Sequence, residues 1–168
     1  MSLQKVLVVT LTLLTLGCGW QLRDATPLDS SIPSIYFSSS DEDNNLVRDL
    51  RRASNVYGVS SKTSQNSAAY SVTITNVREN VRIASINSGG RVAEYQLTEE
   101  VDFVLRLASS MQVIATGKAS ADKVYEFEEN DILASENEQQ RIRYEMRKQI
   151  VRQILTQVQN AVASSTDS

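Results

Sequence analysis

The sequence predicts an α+β domain: a single mostly antiparallel β-sheet with two helices packed on one face. Three observations carry that expectation. Residues 95–107 alternate strictly, with Tyr, Leu, Glu, Val, Phe, Leu and Leu at the odd positions and Gln, Thr, Glu, Asp, Val and Arg between them. Leu46, Val47, Leu50 and Ala53 recur at helical spacing. From Ser135 to about Ala163 apolar residues recur with a period near 3.6, in two stripes rather than one. Strand, helix, several strands and a long helix, in that order, are most simply one sheet carrying both helices on one face.

Each element has a local reason. Residues 34–38 (Ser-Ile-Tyr-Phe-Ser) carry the β-branched and aromatic side chains of a strand. The serine- and acid-rich residues 39–44 suit a helix start, and Arg48, Arg51 and Arg52 are expected in its later turns, where cations favour the dipole. Residues 55–58, ending in Gly58, should stop that helix, and the polar residues 60–67 read as a loop. In residues 69–77, Tyr70, Val72 and Ile74 alternate with Ser71, Thr73 and Thr75, and residues 80–86 form a further strand candidate. Asn87-Ser88-Gly89-Gly90 is a hairpin turn.

The alternating strand at residues 95–107 follows, its register set because a one-residue slip would turn every apolar side chain outward. Ser109-Ser110 should turn the chain into a partner strand at residues 112–127, with Gly117 a candidate bulge. Ser135-Glu136-Asn137-Glu138 has capping-box spacing for the last helix. One stripe of that helix holds Tyr144, Val151, Leu155, Val158 and Val162. The other holds Ile142, Met146, Ile150 and Ile154, so the helix should touch both the sheet and the first helix. Arg141, Glu145, Lys148 and Arg152 form its solvated side, and residues from about 164 onward read as a frayed tail.

The first 17 residues read as a signal peptide. Lys5 is the one positive side chain of a short n-region, and the apolar residues 6–16 fall far short of the roughly 20 that a spanning helix needs. Thr15-Leu16-Gly17-Cys18 resembles the bacterial lipoprotein box, which implies lipid on the Cys18 thiol and cleavage before it. Cys18 is the sole cysteine, so an internal disulfide is excluded and acylation accounts for a thiol otherwise left over. Gly19 stands where an Asp commonly retains lipoproteins in the inner membrane, so resemblance to that sorting rule implies the outer membrane. The mature part, 18–168, is about 150 residues, the size of a single domain with its own core. Residues 19–23 are a candidate short strand beside the anchor and residues 24–31 a connection.

Little chemistry is on offer. The chain has no histidine, which excludes His-dependent triads, and it carries no phosphate loop, dinucleotide fingerprint or nucleophile elbow. Glu99-Glu100 and the group Glu126, Glu128, Glu129 and Asp131 read as solvated acids; the latter lacks the spacing of a Ca²⁺ loop. Net charge is −3, becoming −4 once Lys5 leaves with the signal, so nucleic acid is not an expected partner. No catalytic residue, metal site or cofactor is expected.

Three stretches carry a resemblance: Cys18-Gly19-Trp20-Gln21-Leu22-Arg23, then Ala93-Glu94-Tyr95-Gln96, then Leu133-Ala134 with Asn137-Glu138-Gln139. In this order the chain resembles the LptE family of lipopolysaccharide (LPS)-assembly lipoproteins. That resemblance implies a docking role: a plug inside the large outer-membrane β-barrel LptD, supporting its assembly and the delivery of LPS to the outer leaflet. It also implies LPS binding through basic residues near the glycine turn and the last-helix start. Arg91 follows the turn and is the candidate LPS-binding residue, whereas Ser135-Glu136 occupies the helix start, where the family pattern has a basic residue. A lipoprotein chaperone or pilotin for another outer-membrane channel is the alternative.

Overall fold

A computed structural model describes residues 32–40, 45–127 and 132–166. Strand β1 (Ser34–Ser39) leads to helix α1 (Asn45–Val56) and a short strand β2 (Ser60–Lys62). Two long strands, β3 (Tyr70–Ile86) and β4 (Val92–Leu107), follow, then β5 (Val113–Glu126) and helix α2 (Ile132–Thr166). The five strands form one sheet in the order β2-β1-β3-β4-β5. β1 pairs in parallel with β2 and β3, and the long β3-β4-β5 meander is antiparallel. The expected α+β fold, with a mostly antiparallel sheet and two helices, is the fold observed.

Burial follows the alternation. Leu97, Glu99, Val101, Phe103 and Leu105 of β4 are buried, and the residues between them are half-exposed. Ile35 and Phe37 of β1 and Val72 and Ile74 of β3 continue this inner face. α1 contributes Leu46 and Leu50, and α2 contributes Met146, Ile150, Ile154 and Val158, to one contiguous core. Fully burying a side chain of this size contributes roughly 1.5–3 kcal/mol, so these positions hold the helices on the sheet.

α1 ends as residues 55–58 predict. Gly58 takes φ +83°, its N–H donates to the Asn55 carbonyl (3.1 Å), and the Val59 N–H reaches back to Ser54 (2.9 Å). This glycine-closed helix end directs buried Val59 into the core.

Several expectations need correction. The reading of residues 60–67 as a loop misses β2, a three-residue edge strand beside β1, positioned by the Ser61 N–H donating to Asn55 Oδ1 (2.9 Å). Residues 69–77 and 80–86 belong to one continuous strand; a bulge between Ile74 and Asn76 changes its parity, so Val77, Glu79, Val81 and Ile83 join the inner face. Gly117 is no bulge: it pairs regularly with Phe103, and the β5 irregularity lies between Ala115 and Val113. The last helix starts at Ile132, before the proposed capping box, which leaves Ser135 inside the helix and buried. Leu133 and Ala134 are strong helix formers and continue the helix N-terminal to the serine.

Tyr144, placed in a buried stripe by its spacing, is 58% exposed. α1 has 12 residues against 35 in α2, so the start of the stripe that holds Tyr144 is left uncovered. The Tyr144 ring instead faces the Lys148 ammonium, 4.4 Å from its centroid. Arg51 does not serve the end of α1, whose last turn holds no basic residue; it crosses to β1 and donates to the Phe37 carbonyl at 3.0 Å.

The free edge of β5 is partly closed by side chains. Gln153 of α2 both accepts from the Ser120 N–H (3.0 Å) and donates to the Ser120 carbonyl (2.8 Å), and Gln157 donates to the Lys118 carbonyl (2.9 Å). A primary amide thus stands in for a neighbouring strand at an edge otherwise open to pairing.

Candidate functional site

The β3–β4 turn is built as its sequence implies. The Asn87 N–H donates to the Arg91 carbonyl (2.8 Å) and the Gly90 N–H to the Asn87 carbonyl (3.0 Å). Asn87 Oδ1 accepts from the backbone N–H groups of Gly89 (2.9 Å) and Arg91 (3.1 Å). Gly90 adopts φ +74°, a conformation that costs a residue bearing a Cβ. The exposed Arg91 therefore sits on a hydrogen-bonded tip.

The distal part of the hairpin below that tip is amphipathic. Val81, Ile83 and Ile86 are 42%, 55% and 64% exposed, and Val124 of β5 is 48% exposed. Tyr95 packs against Tyr125 and edge-on against Phe127, with ring centroids 5.9 and 5.3 Å apart. The Phe127 N–H donates to the Ala93 carbonyl (2.9 Å), so the chain leaves the sheet beside β4 and near the turn before α2 begins. This end thus gathers the glycine turn, exposed apolar side chains and the end of β5.

The outer face of the sheet is ionic. Arg78 bridges Asp102 (2.6 Å) and Glu100 (3.2 Å), with Lys118 about 4 Å from both acids. The Arg78 guanidinium, through its hydrogen bond, holds the Asp102 carboxyl below its ordinary range. Further out, Arg82 donates to Gln96 Oε1 (2.6 Å) and Ser85 to Glu94 (2.6 Å).

The Glu99-Glu100 pair divides. Glu100 sits on the outer face, but Glu99, expected to be solvated, occupies an inner-face position of β4 and is only 7% exposed. Burial pushes its carboxyl up; Arg147 opposes the shift, Glu79 across the strand pair adds to it, and Arg143 opposes it. Arg143 also forms an ion pair with Glu79, tying α2 to β3. Of the second acidic group, Glu126 is exposed, and Glu128, Glu129 and Asp131 lie outside the described residues. Among the described residues no group of three or more His, Cys, Asp or Glu could hold a metal ion.

Cys18 and the candidate strand at 19–23 also lie outside the described residues. The feature that motif reading misses is a groove of about 700 Å³ between α1 and α2. Its cations, Arg52, Arg147, Lys148 and Arg152, come from helices far apart in the chain, and no local pattern announces their convergence.

The model of the lipopolysaccharide-assembly family LptE matches residues 32–158. The LPS-assembly lipoprotein LptE of Pectobacterium atrosepticum is 32% identical, over 93% of this chain and 89% of its own length. Its counterpart in Photorhabdus laumondii is 28% identical, over 89% and 82%. Among solved structures, lipoprotein B of Nitrosomonas europaea has the same fold (TM-score 0.68, 22% identity, covering 88% of this chain and 93% of that one). Rare lipoprotein B of Shewanella oneidensis does too (TM-score 0.61, 23% identity, covering 79% and 96%). With a family match that runs from the start of β1 into α2, and with sequence relatives aligned along most of their length, the chain belongs to the LptE lipopolysaccharide-assembly family.

Proposed function

We propose that this protein is a lipid-anchored outer-membrane component that docks inside an LptD-like β-barrel and supports its assembly and LPS delivery, catalysing no reaction itself. The family match over residues 32–158 carries this reading. The hairpin end supports it: Val81, Ile83 and Ile86 are exposed on a long paired hairpin, a surface suited to burial against a partner. Lipid on Cys18 would hold the domain at the membrane, and Arg91 would present a guanidinium to the phosphates of LPS, a geometry suited to bidentate pairing.

The direct test is co-purification from detergent-solubilised membranes. The expected companion is an LptD-like barrel, recovered in smaller amount with Ile83→Glu at unchanged melting temperature. Recovery of a different channel, or of no barrel at all, overturns the reading.

A further inference from the structure

The groove between α1 and α2 combines two properties that the docking reading does not use. Its lining includes an apolar strip, Ala53, Val56, Tyr57, Tyr144 and Val151, in which Val151 is buried and Val56 is 84% exposed. Its rim carries four cations, Arg52, Arg147, Lys148 and Arg152, against the single carboxylate of Asp49. Among the described residues none of these four cations is in an ion pair; Lys148 instead lies over Tyr144, and Arg147 acts on buried Glu99 at a distance. The nearby acid that could have neutralised the rim, Glu145, is held by Arg141 at 2.6 Å. A concentrated positive rim on a chain whose net charge is −3 is a local feature rather than a consequence of composition.

We propose that this groove binds an amphiphile with an anionic phosphate head, the head on Arg52, Lys148 and Arg152 and the chain along Val56, Tyr57 and Val151. Guanidinium groups match phosphate oxygens in fork geometry. The volume, about 700 Å³, falls in the range of small-ligand pockets. The walls are two helices, whose backbone groups are already paired internally, so they offer an extended acidic peptide no partners for its own N–H and C=O groups. An acyl chain has no such groups. The site lies in the helical layer, on elements other than the turn that carries Arg91, and it does not depend on barrel docking.

The test is titration of the full-length chain, purified in a maltoside detergent, with short-chain dihexanoyl phosphatidic acid, followed by calorimetry. Dihexanoyl phosphatidylcholine and inorganic phosphate should each bind at least about tenfold more weakly, lacking net head charge or chain. The double variant Arg52→Gln/Arg152→Gln should lose about tenfold or more in phosphatidic acid affinity, as expected when charge-assisted contacts are removed, with an unchanged melting temperature. Val56→Ser should weaken the amphiphile and leave inorganic phosphate binding unaltered. Wild-type affinity in the double variant overturns the proposal. So does equal affinity for inorganic phosphate, which would make the rim an unspecific anion patch, or displacement of the amphiphile by a glutamate-rich peptide at equal concentration. Barrel co-purification of the double variant should match wild type, so a failed pull-down and a failed titration count against different readings.

Discussion

The ring of Phe103 on β4 lies over Gly117, its direct partner on β5. A Cβ at Gly117 would overlap Cζ of that ring and come within 2.6 Å of Cε1 and 2.7 Å of Gln157 Oε1. The glycine is there to admit an aromatic ring between sheet and helix. Gly117→Ala should therefore destabilise the domain by about 1–3 kcal/mol, the usual cost of overpacking. Urea unfolding would measure it, and an unchanged midpoint would show that the ring moves aside freely.

Phe103 and Leu105 are 2% and 0% exposed, so truncating either to Ala should cost roughly 2–5 kcal/mol. Asp102, the residue before Phe103, lies on the outer face, paired with Arg78, and Asp102→Ala should stay close to wild type. Similar losses at positions 102 and 103 in the same melts would contradict the observed register.

Glu99 makes a pH-dependent contribution with a defined sign. Its folded carboxyl titrates above its unfolded value, so the fold favours the protonated form. The stability it contributes is fully present below the unfolded carboxyl range, near about 4.3, and is lost as pH rises through the folded pKa. Near neutral pH, Glu99→Gln should raise the melting temperature. Near pH 4 the difference should shrink, because the wild-type carboxyl is then protonated as well. Destabilisation by Gln at neutral pH would mean that attraction to Arg147 and Arg143 outweighs burial.

Arg91→Asp tests the tip. If Arg91 pairs with LPS phosphates, binding of purified LPS should weaken while melting temperature and barrel association remain those of wild type. Unchanged LPS binding would remove Arg91 from the site; a drop in co-purification would assign it to the barrel contact.

The proposed anchoring rests on one thiol, that of Cys18. Cys18→Ala should leave an unprocessed or mislocalised precursor without palmitate label. Equal labelling of mutant and wild type would rule out the lipid at that position.

Sequence periodicity alone determined the sheet, both helices and the register of β4. These depend on which side chains fall on one side of a strand or helix, and the spacing in the chain states that directly. The turn that presents Arg91 was legible for the same reason, since Asn-Ser-Gly-Gly encodes a local backbone conformation. Tertiary structure decided the rest. Arg78 and Glu79 pair with Glu100 and Glu99 and so join two apparent strands into one, while the bulge at Thr75 shifts their parity, and only pairing with β4 reveals either. Gly117 reads as a bulge until the Phe103 ring is seen to need its missing Cβ. Glu99 shows in the sequence as an acid like its neighbour, yet its face of β4 lies under α2, where solvent is excluded and arginines approach from the helix. The basic rim of the inter-helix groove joins α1 to α2 across four intervening strands. Charge convergence of that kind is a property of distances in space, and no window along a sequence contains it.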